Sequence, residues 1–166
     1  MILENPKLAM LDVMVAKRTA LAQEGAKLVM TNGCFDLLHT GHIHFLQNAR
    51  KLGDQLLIAL NSDSSVRTLK GPKRPIQSET ERAFALAALQ CVDHIVMFST
   101  DNLVAEILAL QPDIYTKAGD YNLEKLHTGE RTALETFGTK IQFLPFLPGF
   151  STTQLIRKII TAGGID

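Results

Sequence analysis

The sequence predicts a doubly wound α/β fold: five parallel strands in one sheet, helices on both of its faces, and an extra N-terminal helix. Three observations carry that expectation. Short apolar runs alternate with longer stretches of helical spacing, in the order β-α-β-α-β-α-β-(α)-β. The centres of the first two runs, Leu28–Met30 and Leu56–Leu60, are apolar throughout, as strands buried on both faces are. Each run ends on turn-forming residues, and several of the helical stretches open on a capping residue.

Taken in order, Leu8–Gln23 is the extra helix, expected to pack outside the sheet. Lys27–Asn32 ("KLVMTN") is the first strand. His42–Leu52 is helical because Ile43, Leu46, Ala49 and Leu52 share one face, and Gly53-Asp54 ends it. Gln55–Asn61 is the second strand. Ser78, with Glu81 three residues on, is a capping box that opens a helix to Gln90. His94–Phe98 is the third strand, and Asp101 is the expected cap of a helix Asn102–Leu110. Asp113–Lys117 and Lys140–Leu144 are the fourth and fifth strands. Ser151 caps the closing helix Thr152–Thr161.

The totals narrow the function. A chain of 166 residues reads as a single domain, residues 1–25 forming its helical extension. Seventeen basic and seventeen acidic residues balance, so net charge predicts neither a nucleic-acid partner nor a membrane surface. The longest apolar runs, such as Ala83–Leu89, are far shorter than the ~18 residues of a membrane span. Cys34 and Cys91 fit no disulfide framework, which makes a reducing cytoplasm the expected location.

In a sheet of this kind ligands sit beyond the carboxyl ends of the strands, where strand order reverses. The segments that matter are then Gly33–Gly41, Ser62–Pro75, Ala118–Tyr121 and Pro145–Thr153. The first lies within "TNGCFDLLHTGHIHF" (Thr31–Phe45), with three histidines in six positions. A zinc site could use His39, His42 and His44 with Cys34 or Asp36. Against it, His42 and His44 stand two apart on a helix and face different ways, so no metal site is expected. A plain cap-and-loop role is the second reading. The third is phosphate binding. A strand, a glycine loop and a helix start bring backbone N–H groups and a positive dipole end to one place. Gly41 has no Cβ to hold a ligand off, and His39 and His42 can both donate to phosphoryl oxygens.

The motif "HTGH" (His39–His42) resembles the H-x-G-H signature of the nucleotidylyltransferase superfamily. The longer match is sharper. "VMTNGCFDLLHTGHIHFLQNARKLGDQLLIALNSD", "LKGPKRPI", "KAGDY" and "FSTTQLIRKI" together resemble the adenylyltransferase half of the bifunctional heptose 7-phosphate kinase/heptose 1-phosphate adenylyltransferases, from about Lys27 to Ile159. The fold this implies is Rossmann-like. The implied activity is attack by a sugar 1-phosphate on the α-phosphorus of ATP, with Mg²⁺ carried on the nucleotide, ATP and the sugar phosphate as partners, and ADP-heptose as product. Nothing before Lys27 matches a sugar kinase, which would make this a stand-alone form of that half. Whether it is a homodimer is left open.

The resemblance gives His39, His42 and Lys70 the catalytic roles. It places Asn32, Gly33, Cys34, Phe35, Gly41, Lys117, Gly119, Asp120, Ser151, Thr152 and Thr153 with His39 and His42 around the nucleotide. Asp36, Asp63, Lys73, Arg74 and Arg82 are the expected contacts of the acceptor. Each has a plainer alternative. "KGPKR" (Lys70–Arg74), a loop after the second strand, would be a solvated run, Asp36 an organiser of the glycine loop, Asp63 a cap of the segment that follows it, Ser151 a helix cap, and Asp120 a turn residue. Arg82 stands in the first turn of a helix, where a cation opposes the dipole, and that local cost marks it for a ligand. Related glycerol 3-phosphate cytidylyltransferases carry arginines where this chain has Gln90 and Phe146, which weakens a cytidylyl reading. Such a cytidylyltransferase and a non-catalytic nucleotide sensor are the rival functions.

Overall fold

A computed structural model describes residues 5–119, 122–145 and 147–163. Five strands form one parallel sheet: β1 (Leu28–Gly33), β2 (Gln55–Asn61), β3 (His94–Phe98), β4 (Ile114–Ala118) and β5 (Lys140–Leu144), in the spatial order β3-β2-β1-β4-β5. The helices are α1 (Leu11–Gln23), α2 (Thr40–Arg50), α3 (Asp63–Lys70), α4 (Glu79–Ala87), α5 (Val104–Leu110), α6 (Thr128–Thr136) and α7 (Thr152–Gly163). The expected α/β class holds, with β2, β3 and β5 at the expected bounds.

Strand alternation builds two cores. Leu28 and Met30 of β1, with Leu57, Val96 and Tyr115, face α1, α5 and α6. Val29, with Leu56, Ile58, Ile95 and Ile114, faces α2 and α4. Successive strand residues point to opposite faces, and here both faces are covered, which explains why the buried parts of β1 and β2 read as unbroken apolar runs.

Aspartates close the amino end of the sheet. Asp54, Asp93 and Asp113 accept from the backbone N–H groups of Lys27, Leu56 and Leu28, at 2.8, 2.7 and 2.8 Å. With those donors satisfied, the carboxyl end is left to carry the ligand.

Three expectations need correction, and one is filled in. Residues 7–9 extend along the edge of β3 (Ala9 N–H to the Ile95 carbonyl, 2.9 Å), so the first helix starts at Leu11, not Leu8. Covering a bare sheet edge wins over extending a helix. Asp101 does not cap α5; Glu130 accepts from Leu103 N–H and Asn102 from Val104 N–H. The stretch read as a loop after β2 holds α3, capped by Ser62, whose hydroxyl accepts from Ser65 N–H. Finally, the bracketed helix before β5 is real: it is α6. The capping box of Ser78 and Glu81 forms as expected.

Candidate active site

The strand order reverses between β1 and β4, and a cleft of about 570 Å³ opens above that junction. It runs from the glycine loop Gly33–Asp36 and His42, past Lys70 and Arg74, to Asn102, Lys117 and the start of α6, with Thr152 on the rim. Asn61 at the end of β2 lines it as well.

His39 is the N-cap of α2, and its Nδ1 accepts from the backbone N–H of His42 at 3.3 Å. That bond places the proton of a neutral His39 ring on Nε2, free to donate. The His42 ring stacks on it, with centroids 3.7 Å apart and planes at 20°, and meets the edge of Phe35 at 5.2 Å. Burial, followed by the neighbouring His39, pushes the His42 pKa down to about 4. The Leu37 carbonyl acts in the opposite direction, although Nδ1 has no hydrogen bond of ordinary geometry. Burial also lowers the pKa of His39. Two neutral imidazoles at a helix start can donate to phosphate and need not lose a proton first. His44 is exposed and lies within hydrogen-bond distance of Asn48, away from the cleft.

Two glycines ease the geometry. A Cβ on Gly41 would come within 3.1 Å of the His39 ring and of Phe150, so a side chain there would push the His39 ring or the loop before α7 aside by a few tenths of an ångström. Gly119 has φ +100°, a conformation L side chains rarely adopt. Phe35 takes a left-handed backbone (φ 44°), which turns its ring back against His42.

The basic segment is ordered by ion pairs. Lys70 is the last residue of α3, near the negative end of the helix dipole, and lines the cleft. Asp36, 2% exposed, pairs with Arg74 and accepts from Ile76 N–H at 2.8 Å and Gln77 N–H at 3.0 Å. It therefore fastens the segment after α3 to the glycine loop. Lys73 is exposed and does not line the cleft.

Arg82 is placed differently from the expectation. Its side chain is fully buried and donates to Gln77 O (3.1 Å), Cys34 O (2.6 Å) and Asp63 Oδ1 (2.8 Å). The guanidinium braces α4, the glycine loop and the start of α3, with all three bonds spent on protein. The opposing dipole that marked it for a ligand is outweighed by these partners. Asp63 does not cap α3, which Ser62 does; its Oδ1 instead accepts from Arg82.

On the other strand, Lys117 lies with its Nζ 6.0 Å from the Tyr115 ring centroid, and the Tyr115 hydroxyl donates to Asn32 Oδ1 at 2.9 Å. Burial lowers the Lys117 pKa, with Glu130 and Cys34 acting against it. Cys34 has its pKa raised, mainly by burial. Ser151 caps α7, its hydroxyl accepting from Gln154 N–H at 3.2 Å; Thr152 reaches the cleft and Thr153 is exposed. Asp120, Tyr121 and Phe146 lie outside the described residues. The α6 wall, with Lys125, His127 and Glu130, was not anticipated. The bracketed helix before β5 was the one signal that could have found it.

The sheet order, the switch-point cleft and the stacked pair at a helix start define a doubly wound α/β protein of the H-x-G-H kind. The chain belongs to the cytidylyltransferase-like family, whose sequence pattern matches residues 30–158. It is 47% identical over 158 residues to the bifunctional protein HldE of Citrifermentans bemidjiense, and 47% identical over 155 residues to that of Helicobacter pylori. These alignments cover 95% and 93% of this chain, which spans about a third (32%) of each relative's length. A crystal structure described as the lipopolysaccharide core biosynthesis protein from Thermoplasma volcanium aligns with a TM-score of 0.61 at 30% identity, over 74% of this chain and 98% of that one. A pantoate-beta-alanine ligase from Francisella tularensis shares the fold at 13% identity, with a TM-score of 0.57 over 96% of this chain and 79% of its own. Among the described residues, no helix is long and apolar enough to cross a membrane.

Proposed function

We propose that the protein is a nucleotidylyltransferase joining the AMP portion of ATP to D-glycero-D-manno-heptose 1-phosphate, releasing pyrophosphate and forming ADP-heptose, a lipopolysaccharide precursor. The observation that carries this reading is the stacked His39–His42 pair at the start of α2, in which His42 lines one cleft with Lys70. The likeness to proteins named HldE, and to a structure described as a lipopolysaccharide core biosynthesis protein, supports the choice of acceptor. A cytoplasmic location would supply ATP and keep Cys34 and Cys91 reduced.

The nucleophile is an oxygen of the sugar phosphate. It is already ionised near neutral pH, because the second pKa of a phosphate monoester is about 6. No protein base is needed, and the chain contributes position and charge. That oxygen bonds to the α-phosphorus while the bond to the bridging oxygen of the β-phosphate breaks, and pyrophosphate leaves with the electron pair. His39 and His42 donate to the phosphoryl oxygens as charge builds, and Lys70 holds the leaving pyrophosphate.

Mg²⁺ bound to the triphosphate would neutralise phosphate charge. Such an ion takes phosphate oxygens and water, which fits a cleft whose Asp36 is already occupied by Arg74 and two backbone donors. Among the described residues, no group of three His, Cys, Asp or Glu side chains is placed to hold a metal by itself.

The test is pyrophosphate release from ATP, CTP, GTP and UTP, each with heptose 1-phosphate, other sugar 1-phosphates and glycerol 3-phosphate. ATP with the heptose phosphate should give the highest kcat/KM, at least about tenfold above CTP, a gap of ~1.4 kcal/mol. CTP with glycerol 3-phosphate giving the highest value would favour the cytidylyl alternative. Nucleotide binding without pyrophosphate release from any pair would leave a sensor.

A further inference from the structure

The last rung between β1 and β4 pairs Met30 with Tyr115. Asn32 stands two residues beyond Met30, so its side chain leaves the sheet on the same face as that of Tyr115. Tyr115 is fully buried, and its hydroxyl reaches across the widening junction to Asn32 Oδ1 at 2.9 Å. A buried phenol usually finds a hydrogen-bond partner. Here it finds one on a residue that lines the cleft.

We propose that Tyr115 is a positioning residue: it holds the oxygen of the Asn32 carboxamide, so that the NH2 end faces the cleft and donates to a phosphoryl oxygen of the nucleotide. The inference rests on the proposed function and deepens it. It adds a neutral donor at the end of β1 to the two histidines, and gives the orientation of that donor to a residue that touches no substrate. Three arguments support it.

The first is the chemistry of the carboxamide, which carries an accepting oxygen and a doubly donating nitrogen. With the oxygen engaged by Tyr115, the donors are the end offered to a ligand. An ionised phosphate group only accepts, so the match is to phosphate. The reverse orientation, with NH2 on the tyrosine, would set an acceptor against an anion. The second is place. Asn32 directly precedes the glycine loop and shares the cleft with His42 and Lys70, at the junction where strand order reverses. The third is control. Among the described residues, the Asn32 side chain makes this one hydrogen bond. An amide released from it could turn either end to the ligand, whereas a donor fixed before the nucleotide arrives costs no reorganisation during the reaction.

The experiment is a double-mutant cycle. The affinity of a non-hydrolysable ATP analogue is measured by calorimetry, and kcat and KM for ATP by pyrophosphate release. The proteins are wild type, Tyr115→Phe, Asn32→Ala, Asn32→Asp and the double variant Tyr115→Phe/Asn32→Ala. Tyr115→Phe keeps the ring and should lose about tenfold in kcat/KM, and Asn32→Ala about a hundredfold. The double variant should fall within about twofold of Asn32→Ala alone, because the phenol then has nothing to orient. Asn32→Asp is nearly isosteric but turns a charged acceptor toward phosphate, and should bind the analogue more weakly than Asn32→Ala does. A tyrosine that only supports the fold would cost the same factor with or without Asn32. That result, or Asn32→Asp binding the analogue at least as well as Asn32→Ala, would overturn the inference. Should Asn32→Asp fail to fold, the cycle through Asn32→Ala decides. If wild type binds the analogue but releases no pyrophosphate with any sugar phosphate, the proposed function fails by itself, and the same comparisons of analogue affinity judge Tyr115. Wild type that binds no analogue would overturn both.

Discussion

The imidazoles of His39 and His42 lie face to face, centroids 3.7 Å apart and planes 20° from parallel, the first ring accepting from the backbone N–H of the second residue. Two cations cannot share that spacing cheaply when one ring is largely buried. Burial lowers the pKa of both rings, that of His42 to about 4, which favours the neutral pair near neutral pH and lets each ring act as a hydrogen-bond donor.

His39→Ala and His42→Ala should each fold and lose roughly two to three orders of magnitude in turnover, the loss of one transition-state donor being worth about 2.7–4 kcal/mol. Pyrophosphate release beside a circular-dichroism melt checks both halves of that statement. Near-normal turnover in either variant would remove the histidines from the chemistry.

The depressed pKa of His42 links folding to pH. Between its ordinary 6.5 and about 4, the unfolded chain binds a proton that the folded chain refuses. Stability therefore falls as pH drops through that window, by about 2–3 kcal/mol for His42. The lowered pKa of His39 acts in the same direction. Denaturant titrations of wild type and His42→Asn at pH 7 and pH 4.5 should show the wild type losing more. Equal losses would mean that the ring titrates normally.

Arg82→Ala should destabilise the fold by about 3–5 kcal/mol, lowering the melting temperature on the order of 10 °C, because a wholly buried guanidinium loses three partners and strands Asp63. Unchanged melting with lost activity would restore Arg82 to the ligand.

Lys70→Ala should weaken nucleotide binding and turnover more than Lys73→Ala, since Lys70 lines the cleft and Lys73 is exposed outside it. Small, equal effects on the two constants would return the whole segment to the surface.

Much of this molecule is legible in one dimension because its signals are local. Short, largely apolar runs mark β2, β3 and β5 at their observed bounds, and the Ser78–Glu81 box is made by residues three apart. The H-T-G-H segment marks its helix start by itself. What stayed hidden joins distant residues: Asp36 with Arg74 lie 38 apart, and Arg82 with Cys34 lie 48 apart. No spacing rule announces such pairs, so the same arginine reads as a ligand contact in sequence and as a brace in space. α3 was missed because its eight residues are mostly polar and only two of them, Ser65 and Val66, are buried. A short polar segment ending in Lys-Gly-Pro looks like a loop.

The sheet is not laced evenly. β1 pairs with β2 at six register positions and β4 with β5 at five, whereas β1 and β4 pair at only two, Val29 with Ile114 and Met30 with Tyr115. Above those rungs the junction is bridged by the bond from the Tyr115 hydroxyl to Asn32. The two halves are thus a forked frame whose tines open onto the cleft. A nucleotide seated there takes the place of the missing rungs, holding β1 with its helix start to one side and β4 to the other. Amide exchange should then slow on both tines together when nucleotide is added, while the closely laced outer strands change little.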